Sequence, residues 1–159
     1  MNKKFTSEHI AQGAIIAALY VVITVALAPI SFSFLQVRIS EALTILPLFT
    51  DTAVPGLFIG CLLANLLGGG APLDIVFGSI ATLIGAVFGR VLRHNRWLVP
   101  LPSIISNSLI IPLVLRYAYG VDLPYLLSAA YIAVGEFLGC FVLGEILASA
   151  LLKFKDKIN

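Results

Sequence analysis

Long apolar runs are the feature that most constrains this chain. The longest, residues 124–152, has Glu136 and Glu145 as its charged side chains and exceeds the roughly 20 residues that a membrane-spanning helix needs. Only 11% of the 159 residues are charged, against roughly 25% in soluble domains. This composition excludes a water-soluble enzyme, a disordered chain and a nucleic-acid binder. We therefore predict an all-α integral membrane protein.

The apolar runs predict six transmembrane helices in one transmembrane domain, residues 1–159. The second run is short, so it predicts either a tilted helix or a re-entrant one. The amino-terminal residues are not followed by a cleavage site before a mature domain, so we interpret them as the start of the first helix. The predicted helices cover residues 8–28, 39–50, 54–69, 73–92, 98–119 and 124–152.

Basic residues are distributed unevenly between the predicted loops. If all six helices cross, Arg38 and Arg116 lie on one side and the other Lys and Arg side chains on the opposite side. Because cytoplasmic loops are enriched in Lys and Arg, this pattern predicts that both termini are cytoplasmic. The residues assigned to the cytoplasmic side are Lys3, Lys4, Arg90, Arg93, Arg96, Lys153, Lys155 and Lys157.

Polar side chains inside the predicted spans are candidates for function, because burying them in a bilayer is costly. The topology places those of five helices in the outer half of the membrane, which predicts an outward-facing substrate pocket. The predicted substrate-binding residues are Arg38, Glu41, Asn65, Asp74, Asn107, Tyr125 and Glu136.

Several of these residues also have a purely structural interpretation. Arg38 and Glu41 are spaced for an ion pair within one helix, and Asp74 is placed to cap the fourth helix. Arg116 and the tyrosines beside it suit anchoring at the membrane interface. Glu145 suits pairing with polar groups near the inner surface.

Small residues recur every four positions, a pattern typical of close helix packing in membranes. The stripes are Gly56, Gly60, Ala64 and Gly68; Gly85 and Gly89; Gly135 and Gly139; and Ala14 and Ala18. For the first helix, the alternative is that Ala14 and Ala18 form an exposed docking face for another membrane subunit. Cys61 and Cys140 lie in apolar runs and are interpreted as packing residues.

Catalytic motifs are missing from the sequence. His9 and His94 both fall at the predicted cytoplasmic edge, and neither a nucleotide-binding G-x-x-x-x-G-K-[ST] loop nor a G-x-S-x-G motif occurs. We therefore expect a non-enzyme without a cofactor or metal of its own. Active transport would then depend on an ion gradient or on a partner ATPase.

Three stretches resemble a known family, the QueT-type queuosine-precursor transporters. They are QVRISEALTILP at 36–47, PGLFIGCLLAN at 55–65 and LDIVFGSIAT at 73–82. The resemblance covers essentially the whole chain in length and order of segments. It implies a substrate-binding S component of an energy-coupling factor (ECF) transporter, with a six-helix bundle in the bacterial plasma membrane.

The resemblance also implies the ligand and the partners. The ligand would be queuine or 7-aminomethyl-7-deazaguanine, with the 7-cyano analogue as a further candidate. The partners would be a transmembrane coupling subunit, which Ala14 and Ala18 would contact, and two cytoplasmic ATPases that use the ATP.

The chemistry of a 7-deazaguanine suggests a role for each polar group. Glu136 would accept the donors of the guanine edge with help from Asn65 or Asn107, and Glu41 or Asp74 would receive the cationic amine. Aromatic cover would come from Phe32, Phe34 or Tyr125, and segment 29–40 would be an outer lid.

Other functions stay open at this point. The main alternative is a stand-alone ion-coupled transporter or channel, with Glu136 and Glu145 as a proton relay. These residues are nine positions apart, about 180° around a helix, which argues against one relay path. A purely structural membrane subunit would not need the converging polar groups.

Overall fold

The computed structural model describes residues 6–31 and 38–158, and this part of the chain is helical without strands. The α-helices are α1 (Ser7–Ala26), α2 (Ala28–Ser31), α3 (Ala53–Leu67), α4 (Pro72–Val91), α5 (Leu101–Tyr119), α6 (Tyr125–Glu136) and α7 (Gly144–Ile158). Two 3₁₀ helices, Ile39–Leu48 and Arg96–Leu98, and a π-helical segment, Phe137–Leu143, complete the fold.

Within the described residues, four segments are long and apolar enough to cross a membrane. They are Ser7–Ala26, Pro72–Val91, Arg96–Tyr119 and Tyr125–Phe154, with 20, 20, 24 and 30 residues. The all-α membrane class is thereby confirmed. The other two predicted spans are shorter apolar helices, Ile39–Leu48 and Ala53–Leu67. At about 1.5 Å per residue, α3 is about 22 Å long, which is less than the hydrocarbon core of a typical bilayer.

Prolines lie at the start of α5 and inside it. Pro100 and Pro102 lie at its amino-terminal end, so α5 starts at Leu101, three residues later than predicted. Proline is tolerated there because the first helical N–H groups have no partner within the helix. Pro112 lies inside α5.

The small-residue stripes allow close contact between neighbouring helices, as the packing interpretation predicted. A Cβ atom on Gly56 would lie 2.8 Å from the carbonyl oxygen of Gly13, where α3 crosses α1. A Cβ atom on Gly85 would lie 2.3 Å from Ser103 Oγ, where α4 crosses α5. Ala14 and Ala18 differ, since both are exposed on α1.

Most of the described basic residues gather at one end of the bundle, here called the basic end. The last turn of α4 reaches the turn before α3, where Arg90 pairs with Asp51 and donates to the Pro47 carbonyl at 2.7 Å. The Arg96–Leu98 helix, which precedes α5, meets α7, where Arg96 Nη2 lies 2.8 Å from Glu145 Oε2. This arrangement agrees with the predicted grouping of charges, and the assignment of this end to the cytoplasm stays a prediction. Lys3 and Lys4 lie outside the described residues.

Candidate functional site

A cluster of buried polar side chains lies inside the bundle. We define the polar cluster as Arg38, Glu41, Asn65, Asp74, Asn107 and Glu136, each at most 4% exposed. These residues come from the start of the Ile39–Leu48 helix and from α3, α4, α5 and α6. The sequence therefore identified the residues that five different elements bury inside the bundle.

Glu41 and Glu136 form one half of the cluster, together with Cys140 of the π-helical segment. One ligand atom of each residue lies within 4.8 Å of those of the other two. The Cys140 thiol donates to Glu136 Oε2 at 3.1 Å and lies 3.7 Å from Glu41 Oε2. On the remaining sides, Tyr20 of α1 donates to Glu41, and the Asn107 side chain approaches Glu136. Two carboxyl groups from different helices thus share one small volume.

Asp74 organises the other half of the cluster. Arg38 Nη2 lies 4.0 Å from Asp74 Oδ2, and the Tyr119 hydroxyl donates to the same oxygen at 2.9 Å. Asn65 Nδ2 donates to the Asp74 carbonyl at 3.3 Å. Gly78 makes this approach possible, because a Cβ there would lie 2.9 Å from Asp74 Oδ1 and 3.1 Å from Asn65 Nδ2.

The Asp74 side chain thus contacts Arg38 and Tyr119, and the N–H of Ala71, the residue before α4, donates to the Tyr119 hydroxyl at 3.0 Å instead of to Asp74. This placement favours the site interpretation of Asp74 over the capping one. The backbone of Asp74 belongs to the first turn of α4, because its N–H donates to the Ala71 carbonyl at 2.8 Å.

The polar cluster contains more acidic groups than basic ones. It holds three carboxyl groups, those of Glu41, Asp74 and Glu136, and one guanidinium, that of Arg38. Burial of an ion costs several kcal/mol unless it is paired and hydrogen-bonded. Such an arrangement therefore favours a ligand that brings hydrogen-bond donors or positive charge.

Some of the hydrogen-bonding capacity in the cluster is unused within the described residues. Asn65 Oδ1 and Asp74 Oδ1 are buried acceptors without a hydrogen-bond partner there. Buried acceptors of this kind are unusual in folded proteins and need an explanation. Two free acceptors at one site again match a ligand rich in donors.

Two departures from α-helical geometry bring the carboxyl groups together. Glu41 lies in a 3₁₀ helix, and Cys140 lies in the π-helical segment that follows Glu136. The two elements touch at Gly139, where a Cβ atom would lie 2.8 Å from the Arg38 carbonyl oxygen. π-Helical segments are frequent at functional sites, and 3₁₀ segments are common at helix ends and as connections.

The triad of Glu41, Glu136 and Cys140 also has the spacing of a metal site. It offers two oxygen ligands and one sulfur ligand, whereas structural zinc sites use four protein ligands. The Arg38 guanidinium acts on both carboxyl groups and opposes a bound cation. The expectation of no metal stays a prediction.

Tyr125 is not part of the polar cluster. Its hydroxyl donates to the Leu109 carbonyl at 3.0 Å, and its side chain is partly exposed. Tyr125 precedes Glu136 by eleven residues, about 16 Å along a helix axis, so a shared face does not bring them together. Phe32 and Phe34 lie outside the described residues.

Glu145 lies away from the cluster, in the ion pair with Arg96 at the basic end. The predicted pairing of Glu145 with a polar group near the surface is thus confirmed. Its position gives no support to a relay with Glu136. Arg116 and Tyr117 are exposed, as expected of interfacial anchors.

Sequence reasoning missed three contributors to the site: Tyr20, Tyr119 and Cys140. Tyr20 had a signal, since Thr24 one turn later gives α1 a second polar group on the same face, and Thr24 Oγ1 lies 2.6 Å from Ser40 Oγ. Tyr119 was assigned to the interface, and Cys140 to packing. Both residue types are common in those roles.

Arg38 is expected to stabilise the cluster, because its guanidinium is the cation of the cluster and lies 4.0 Å from Asp74 Oδ2. Arg38→Met should lower the free energy of unfolding by about 3–5 kcal/mol, the usual cost of breaking a buried pair. Arg116→Met, which removes an exposed arginine, is the matched control. Thermal unfolding of the purified protein in detergent measures both.

A second variant separates loss of charge from loss of packing. Arg38→Met combined with Asp74→Asn should recover part of the lost stability, since one unpaired carboxylate is then removed. Equal unfolding temperatures for Arg38→Met and Arg116→Met would contradict the assigned role.

The chain is similar in sequence to known transport proteins. Residues 10–153 match the family described as QueT transporter. The Queuosine precursor transporter QueT of Lactococcus lactis subsp. cremoris (strain MG1363) is 29% identical over 153 residues, covering 88% of this chain and 90% of that protein. No solved structure matches. The match spans all the helices that contribute to the polar cluster, and the chain therefore belongs to the QueT transporter family, a family of membrane transport proteins.

Proposed function

We propose that the chain is the substrate-binding S component of an ECF transporter for a queuosine precursor in the bacterial plasma membrane. In this proposal both termini are cytoplasmic, six helices cross the membrane, and the polar cluster opens to the outside. The ligand is queuine or 7-aminomethyl-7-deazaguanine. The observation that carries the proposal is the buried excess of three carboxyl groups over one guanidinium, with amides beside them.

The guanine edge complements the carboxyl groups of the cluster. Its ring N–H and exocyclic amine are adjacent donors, and one carboxylate accepts both in a bidentate pair. Glu136 fits this role, because Asn107 approaches it and supplies an amide for the neighbouring ligand atoms. Arg38 supplies a donor for the ligand carbonyl.

The substituent of the ligand gives a second carboxyl group of the cluster a role in binding. An aminomethyl group is cationic at neutral pH, and Glu41 lies close enough to Glu136 for one ligand to contact both. Among the described residues, Tyr20 and Tyr119 contact acids of the cluster, and they replace Tyr125 as candidates for covering the base. The role of segment 29–40 as a lid is retained, and residues 32–37 lie outside the described part of the chain.

The exposed face of α1 suits the docking of a coupling subunit. Ala14 and Ala18 are exposed on this face, between the exposed side chains of Ile15 and Leu19. Small residues let another helix approach closely within a membrane. The chain has no nucleotide-binding loop, so the partner ATPases use the ATP.

Glu136→Gln should weaken the binding of queuine and 7-aminomethyl-7-deazaguanine at least tenfold, about 1.4 kcal/mol, because an amide cannot accept two donors in parallel. Glu145→Gln is the control, since it changes a buried acid outside the site. Titration calorimetry on purified protein gives both affinities. Unchanged affinity would remove Glu136 from the site, and equal competition by guanine would refute the ligand.

Glu41→Gln should reduce the preference for the cationic ligand. We expect affinity for 7-aminomethyl-7-deazaguanine to fall several-fold more than affinity for the neutral 7-cyano analogue, because the lost charge faces the amine. The ratio of the two dissociation constants is the measurement. The same ratio in wild type and variant would assign the amine to Asp74 instead.

Ala14→Trp and Ala18→Trp should block uptake that depends on the partner subunits while leaving ligand affinity unchanged. The bulky ring would prevent close approach of another helix. Ala130→Trp, at an exposed position on α6, is the control. Reconstituted uptake with and without the energising module, together with calorimetry, tests this. Uptake that proceeds without the module on a proton gradient would favour a stand-alone transporter.

A further inference from the structure

A groove at the basic end is independent of the polar cluster. It has a volume of about 580 Å³ and runs between the Arg96–Leu98 helix and the outer face of α7. Its apolar walls are formed by Trp97, Ile146, Ala150 and Phe154. Its charged side chains are the basic Arg96 and Lys153 and the acidic Glu145. The groove therefore combines apolar walls with charged side chains, and its mouth is defined here as the end at Lys153, eight residues along α7 from Glu145.

The groove lies at the boundary of the membrane. Arg96 is the first residue of one candidate span, and Phe154 is the last residue of another. Trp97, Ile146 and Phe154 are 51%, 62% and 64% exposed, so the described part of the chain does not cover these walls. Tryptophan is enriched at the level of the lipid headgroups.

The mouth of the groove is positively charged. Arg96 and Lys153 outnumber Glu145, and Arg93 lines a neighbouring groove of about 370 Å³ that also includes Arg96. Lys153 takes part in no ion pair among the described side chains, those of residues 6–29 and 38–154. An anionic group near this mouth would meet a cation that is not already neutralised.

The arginine of the groove is held in place by three contacts. Its Nη2 lies 2.8 Å from Glu145 Oε2 and 3.4 Å from Ser149 Oγ, and its guanidinium lies 4.6 Å from the centre of the Trp97 ring. A fixed guanidinium loses less entropy when it binds an anion than a mobile one does. The groove is thus prepared for a negatively charged headgroup.

We propose that this groove binds one anionic phospholipid from the leaflet at the basic end. The acyl chain lies along Ile146, Ala150 and Phe154, and the phosphate is held by Lys153 and Arg96. Basic pockets between transmembrane helices are suited to anionic headgroups. Two other grooves, between α4 and α5, serve as a comparison: their linings carry no charged residue, so they offer acyl-chain contact without headgroup selection.

The test compares phosphatidylglycerol with phosphatidylcholine on the whole purified protein by native mass spectrometry. Wild-type protein should retain phosphatidylglycerol at least fivefold more than phosphatidylcholine. Lys153→Glu should reduce this ratio to about one, whereas Arg116→Glu, which reverses an exposed charge on α5, should leave it unchanged. Equal retention of the two lipids by wild type, or full retention by Lys153→Glu, would overturn the proposal.

A second variant controls for damage to the fold. Arg96→Gln combined with Glu145→Gln removes the ion pair without leaving a buried charge alone, and it should also lower phosphatidylglycerol retention while the thermal unfolding temperature stays near that of Lys153→Glu. The same spectra report dimers. A lipid-free dimer that Ile146→Asp abolishes would show that a second copy covers the groove, and the lipid proposal would then be wrong.

Discussion

The contact between Arg38 and the carboxyl groups around it is the interaction on which the interior of the bundle depends. Arg38 Nη2 lies 4.0 Å from Asp74 Oδ2, and the guanidinium also acts on Glu41. In a membrane no water is available to solvate an acid that loses its partner. The fold must therefore bring residues from the Ile39–Leu48 helix and from α4 together before either side chain is tolerated inside.

The short helices make this contact possible. Ile39–Leu48 and α3 are too short to match the hydrocarbon core when perpendicular to it, and Arg38 precedes the first of them. A charged residue at the end of a short helix is buried among other helices instead of facing lipid. Around these elements, α1 and α4 supply long apolar surfaces, and their glycine contacts with α3 and α5 keep the bundle tight.

Much of the polar cluster was predictable because a polar side chain in an apolar run must be satisfied inside the protein. Asn65, Asn107 and Glu136 stand out for that reason alone. Tyr20 and Cys140 do not, since a tyrosine or cysteine in an apolar helix is ordinary, and only the fold shows that their hydroxyl and thiol meet the acids. Tyr125 lies outside the cluster, because a shared helix face says nothing about depth along the axis.

Most boundaries of the helices lie within three residues of the prediction, but the last helix ends at Ile158, six residues later than predicted, and the helix types were not predicted. The 3₁₀ geometry of Ile39–Leu48 and the π geometry of Phe137–Leu143 arise from tertiary contacts, which local sequence patterns do not encode. The sequence predicts one α-helix over residues 124–152, and the structure divides this stretch into three helical segments.

Gly139 has a consequence for how this bundle can move. Because the Arg38 carbonyl occupies the space where a Cβ would be, the π-helical segment and the Ile39–Leu48 helix can lie this close only with glycine at position 139. A slip of one residue would turn Glu136 and Cys140 by about 100° about the helix axis and separate both from Glu41. Movement of these two elements past each other would therefore take the pair of acids apart.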